Sequence, residues 1–151
     1  MITVCLLGSD IAKEQALLQS QSDIRLIDID SHDGDDILAT LARIRPAIFI
    51  IADDNEHIDA DELCLLTHLR VPQTRTLIIT RQEADYERLQ ASGYSCRGYV
   101  MYEQRHAIVR AVRVVNDGES WLSRKLITDV LDRLAASALD NPSRLQLVNN
   151  T

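Results

Sequence analysis

A chain of 151 residues with 16 Lys+Arg against 23 Asp+Glu carries a net charge of −7 and is the size of one ordinary domain. A field of that sign repels polyanions, which argues against the chain gripping DNA or an anionic membrane by itself. With 46% hydrophobic and 26% charged residues, no run long enough to cross a bilayer and no basic region before the first apolar stretch, a soluble, cytoplasmic globule is expected.

The first apolar run, residues 2–7, ends at Gly8-Ser9-Asp10. Residues 11–19 follow with Ala12, Ala16 and Leu17 at helical spacing, and Ser9 or Asp10 as the expected N-cap. Residues 24–29 alternate apolar and polar, the mark of an edge or near-edge strand. Ser31-His32-Asp33-Gly34 is turn chemistry, and 36–44 is a helix with Ile37, Leu38, Leu41 and Ile44 inward. Pro46 closes that helix, because its ring removes an N–H and biases Arg45 away from the helical region. Residues 47–52 are then apolar without a break, as in a strand covered on both faces at the centre of a parallel sheet.

Asp53-Asp54-Asn55-Glu56-His57 is an acidic loop, read as solvated rather than metal-binding because it lacks the spacing of a calcium loop. Asp59-x-x-Glu62 is a capping box opening a helix with Leu63, Leu66 and Leu69 on one face. A fourth strand spans 77–80, and a weaker helix 83–92, carrying Tyr86 and Leu89, stops at Gly93. A fifth strand spans 97–102, and 106–115 is a helix burying Ile108, Ala111, Val112 and Val115, with Arg105, Arg110 and Arg113 on its solvent side. Cys5, Cys64 and Cys96 form no C-x-x-C pair and are expected to be reduced, small apolar packers. Five βα units in strict alternation, joined by right-handed crossovers, give an α/β architecture of the flavodoxin-like, doubly wound kind with a five-stranded parallel sheet. A sixth helix over about 123–137 is extra, with Leu126, Ile127, Val130, Leu131 and Leu134 forming an apolar stripe that needs a partner surface.

The order of units, Asp33-Gly34 after strand two, Arg45-Pro46 before strand three, Thr80 ending strand four and Arg97-Gly98-Tyr99 opening strand five resemble the CheY-like receiver domain of response regulators. Gly118-Glu119-Ser120-Trp121-Leu122-Ser123 before a further helix is similar to the NarL/LuxR-type transcription factors of two-component signalling. The resemblance makes 2–137 the receiver-like domain and 138–151 a linker toward a helix-turn-helix domain not contained in these 151 residues.

Receivers place a carboxylate nucleophile at the end of strand three, an acidic pair for Mg²⁺ after strand one, a hydroxyl after strand four and a lysine after strand five. By that resemblance the nucleophile position falls on Ala52, the acidic pair on Gly8 and Ser9, and the lysine on Tyr102. Thr80 is retained, and Tyr99 falls at the switch aromatic. The resemblance thus implies a pseudo-receiver: no enzyme, no resident metal or cofactor, a homodimer that transmits a signal to a DNA-binding domain without phosphorylation. Its interface would use helix six, or helices one and five. A rival reading makes Asp53 a true phospho-acceptor, with Asp10 shifted likewise by one residue; a one-residue shift turns a strand side chain to the opposite face. Arg81 either reaches Asp53 or Asp10 and bridges the emptied pocket as an ion pair, or points into water.

Trp121-Leu122-Ser123-Arg124 carries the alternative function. Ser123 reads as an N-cap, while Arg124 and Lys125 occupy a first turn whose dipole disfavours cations unless an anion binds there. The stretch is similar to the W-[FLM]-[TS]-R motif of VpsT-type regulators, and implies a cyclic di-GMP ligand held by Trp121, Ser123 and Arg124. Ordinary packing of Trp121 at the corner between helices five and six is the competing account.

Overall fold

The computed structural model describes residues 1–140, and these form two compact units divided after Trp121. The first unit runs β1 (Ile2–Leu7), α1 (Ala12–Gln19), β2 (Ile24–Asp28), α2 (Gly34–Ile44), β3 (Ile48–Ala52), α3 (Ala60–Arg70), β4 (Arg75–Thr80), α4 (Tyr86–Ala91), β5 (Cys96–Met101), a 3-10 turn at Tyr102–Ala107 and α5 (Ile108–Asn116). The second unit carries α6 (Arg124–Leu139). All strands are parallel, in the order β2-β1-β3-β4-β5.

The unbroken apolar run is therefore the middle strand, and Ile48, Phe49, Ile50, Ile51 and Ala52 are all buried. Alternation divides the two faces. Val4, Leu6, Ile48, Ile50, Leu77, Ile79 and Val100 pack with Leu18 of α1 and with Ile108, Ala111, Val112 and Val115 of α5. The opposite parity, Cys5, Phe49, Ile51, Ile78 and Tyr99, faces the other side, where Ile37 and Leu41 of α2 and Leu63 and Cys64 of α3 are buried. Each fully buried side chain of this size contributes about 1.5–3 kcal/mol, so the double-sided sheet dominates stability. All three cysteines are buried free thiols.

Local chemistry sets most helix starts. Asp33 accepts from the Asp35 N–H, Asp59 from those of Asp61 and Glu62, and Asp85 from that of Arg88. Arg45 ends α2 in the left-handed conformation (φ 52°) immediately before Pro46. Helix α1 departs from expectation. Neither Ser9 nor Asp10 caps it; the cap position is Ile11, which has no side chain able to accept. The fifth helix also starts later than the spacing implies, because residues 102–107 form a 3-10 turn with Gln104 kinked out of helical geometry (φ −111°, ψ 15°). Helix α6 runs through Leu139, two residues past the expected boundary. Residues 141–151 of the expected linker lie outside the described residues.

Candidate functional site

The carboxyl ends of β1, β3, β4 and β5 bring Gly8, Ser9, Ala52, Thr80 and Tyr102 to one edge of the sheet. What fills that edge is the chain itself. A Cβ added to Gly8 would lie 2.5 Å from the Ala52 Cβ and 2.7 Å from Ile11 Cγ2, so an acidic side chain at position 8 has no room. The Asp54 carboxylate occupies the mouth. It accepts from the Ser9 N–H (3.1 Å to each oxygen) and from the Asp10 N–H (2.9 Å), and the Tyr102 hydroxyl donates to it at 3.3 Å. Both amides belong to the loop before the Ile11 cap position, so Asp54 ties that loop to the end of β3 and leaves the first turn of α1 without a side-chain cap.

Two guanidiniums complete the arrangement, and neither is Arg81. Arg88 of α4 meets Asp53 at 3.2 Å and Asp61 at 3.2 Å through two of its nitrogens, and donates to Thr80 Oγ1 at 2.7 Å. Thr80 in turn donates to the Gln82 carbonyl at 3.0 Å. Arg105, expected on the solvent side, folds inward instead: it chelates the fully buried Glu14 through Nε and Nη2, donates to the Asp10 carbonyl at 2.6 Å and lies 3.7 Å from the Asp10 carboxylate. The pocket acids therefore do pair with guanidiniums, but the expected Arg81 bridge is replaced by Arg88 on Asp53 and Arg105 on Asp10. Helix-borne Arg88 and the 3-10 turn approach the acids from within the fold. Arg81, exposed just beyond β4, lies over the Tyr102 ring, 5.4 Å from its centroid, and Arg105 lies 5.0 Å from the same centroid.

Burial, then the neighbouring Asp54 carboxylate, pushes the Tyr102 hydroxyl up to about 12, so at neutral pH it is a proton donor. Burial likewise raises Tyr99, whose hydroxyl has no hydrogen-bond partner among the described residues and whose ring lies under Arg88. These residues do not fit a Mg²⁺ ion. Gly8 and Ser9 supply no carboxylate, while Asp54 has both oxygens on backbone amides and Asp53 and Asp10 each turn one oxygen to a guanidinium. Among the described residues no group of three or more His, Cys, Asp or Glu side chains is placed to share a cation.

Asp54, Arg88, Glu14 and Arg105 escaped the sequence reading. A signal for Asp54 existed: two residues beyond Ala52, period two returns a side chain to the same face, whereas Asp53 points away. No comparable signal linked Arg105 to Glu14 across 91 positions.

The Trp121 motif divides at the boundary between the units. Trp121 donates its N–H to the Arg97 carbonyl (2.8 Å) and accepts from the Tyr99 N–H (3.1 Å), adding a short parallel bridge beside Gly98. A Cβ on Gly98 would stand 2.8 Å from the Trp121 Cβ, so the close approach requires glycine there. The indole packs on the apolar cluster shared by α1 and α5, under Arg110 at 5.9 Å. In the second unit Ser123 caps α6, accepting from the Leu126 N–H at 3.1 Å.

No family model and no curated protein matches this sequence. Solved structures do match in shape. A LuxR-family two-component response regulator from an Aurantimonas species superposes with a TM-score of 0.69 at 14% identity, over 89% of this chain and 99% of that one. This is a receiver fold. The receiver domain of the NarL response regulator from Mycobacterium tuberculosis gives 0.64 at 15% identity over 78% and 98%. Salmonella typhimurium RcsB gives 0.69 at 11% over 85% and 68%. Identities this low establish the receiver fold alone, and the receiver-fold strand ends described above must be judged by their own residues.

Proposed function

We propose that this chain is a signalling domain of receiver fold that works without phosphorylation, dimerising and passing its state to a DNA-binding domain of a transcription regulator. The observation carrying this reading is the Asp54 carboxylate seated on the Ser9 and Asp10 amides above the Gly8–Ala52 contact. An anion brought to those amides must first displace Asp54, and hydrogen bonds to a charged group stabilise by about 1.5–3 kcal/mol each. The residues needed for phosphoryl transfer are missing together: Ala52 carries a methyl group, and Tyr102 is a neutral phenol where a cation is needed. Asp53, the alternative acceptor, is held by Arg88.

Intact-mass measurement after incubation with acetyl phosphate and Mg²⁺ tests the reading; an unchanged mass is expected, and an acyl phosphate on Asp53 or Asp54 would overturn it. The exposed leucines of α6 support dimerisation through that helix. Ile127, Leu131 and Leu134 are 40%, 60% and 61% exposed, whereas the apolar residues Ile108, Ala111, Val112 and Val115 of α5 are spent on the core. RcsB, described for its DNA interaction, supports an output of the same kind. The backbone pinning of Trp121 favours a packing role over the cyclic di-GMP reading, and calorimetric titration with that dinucleotide separates the two.

A further inference from the structure

We propose that the amino-terminal end of the sheet, opposite the pocket filled by Asp54, holds a binding site for a small, doubly charged oxyanion of the phosphate class. A cavity of about 200 Å³ opens there, lined by His68, Arg75, Arg97 and Ser120 together with Thr74 and Ser95, and no acidic residue lines it. The placement follows from the topology. Arg75 opens β4, Arg97 is the second residue of β5, His68 lies in the last turn of α3, and Ser120 follows α5.

Both guanidiniums are tethered and incompletely used. Arg75 Nη1 donates to the Val115 carbonyl at 2.8 Å and Arg97 Nη1 to the Tyr94 carbonyl at 2.8 Å. Among the described residues Nε and Nη2 of each have no protein acceptor, and neither arginine forms an ion pair. What sets Arg75 and Arg97 apart is that both line one cavity with no acidic residue in its wall, an arrangement suited to an anion.

The Arg75 bond caps the carboxyl end of α5, whereas the Tyr94 carbonyl that holds Arg97 lies in the loop beyond α4. A helix carboxyl end carries roughly −0.5 of a charge, so about 1.5 units of positive charge remain on the two arginines. Size narrows the ligand, since drug-sized ligands occupy roughly 300–1,000 Å³ and this cavity is smaller. Geometry narrows it further. A carboxylate has two oxygens and satisfies one guanidinium fork, whereas a phosphate group has enough to engage two forks and the Ser120 hydroxyl. The site is independent of the Asp54 pocket, and it touches the segment that pins Trp121, whose N–H binds the Arg97 carbonyl. It would give the domain a non-covalent input.

The test is an amide proton–nitrogen NMR titration of the 151-residue chain with inorganic phosphate near neutral pH, ionic strength being held constant with sodium chloride. Saturable shifts gathered at Arg75, Arg97, Gly118 and Ser120 are expected, with affinity roughly tenfold weaker in Arg75→Gln and in Arg97→Gln. Arg81→Gln, at the opposite sheet end, should leave the affinity unchanged. A parallel arm with glycerol 2-phosphate assigns the site to a phosphomonoester if it binds tighter than inorganic phosphate, and to the free ion if weaker. If either arginine variant fails to fold, Ser120→Asp, at an exposed position, should abolish binding by adding a carboxylate. Unsaturable or scattered shifts, or equal affinity in the arginine variants, would overturn the proposal and leave the carbonyl contacts as the arginines' whole role.

Discussion

Glu14 has no solvent exposure, and a carboxylate in that position is tolerable because Arg105 meets both of its oxygens. Removing one partner of such a pair leaves an uncompensated buried charge. Arg105→Ala is therefore expected to destabilise by about 3–5 kcal/mol in urea unfolding. Replacing both partners together, Glu14→Leu with Arg105→Met, should recover most of that loss; an unaltered midpoint in Arg105→Ala would contradict the burial. Tyr102 gives a second residue-scale prediction. Its folded pKa is raised to about 12 from an ordinary value near 10, so the neutral phenol is favoured in the fold. The associated stability is fully present below pH 10 and is lost as pH rises from about 10 through about 12. Phenolate absorbance should show two late-titrating tyrosines, Tyr99 and Tyr102, of which only Tyr99 remains in Tyr102→Phe. If all the tyrosines ionise together near pH 10, the contact with Asp54 is wrong.

Helices α5 and α6 show the same amphipathic spacing put to different ends. In α5 the apolar stripe is consumed by the sheet, and its register is set after the 3-10 turn that lets Arg105 reach inward. In α6 Ser123 fixes the start, yet Ile127, Leu131 and Leu134 remain exposed at i, i+4 and i+7. Exposed leucines at that spacing form one continuous seam. If the chain dimerises through α6 as proposed, the double substitution Leu131→Asp with Leu134→Asp shifts sedimentation from dimer toward monomer while leaving the melting of the sheet unit unchanged. A dimer that survives both changes would place the interface elsewhere.

At the scale of the molecule, local pattern was enough to read the architecture. Unbroken apolar character at 47–52 marked a strand covered on both faces, alternation at 24–29 marked an edge, and the βα order leads to a parallel sheet. The residue types at the strand ends were legible too, because Gly8, Ala52 and Tyr102 are chemical identities that folding cannot change. Their replacement was not legible. Asp54 reaches the Ser9 amide across 45 positions, and Arg88 reaches Asp61 across 27. The sequence alone thus determined which elements form and which residue types stand at the strand ends, since both depend on residue identity and near-neighbour spacing. Only the tertiary structure decided that Arg88 and Arg105, not Arg81, hold the acids, and that Arg75 and Arg97 stand unpaired together. Ion pairing is chosen by distance in three dimensions, and that distance exists only once the sheet order has been set.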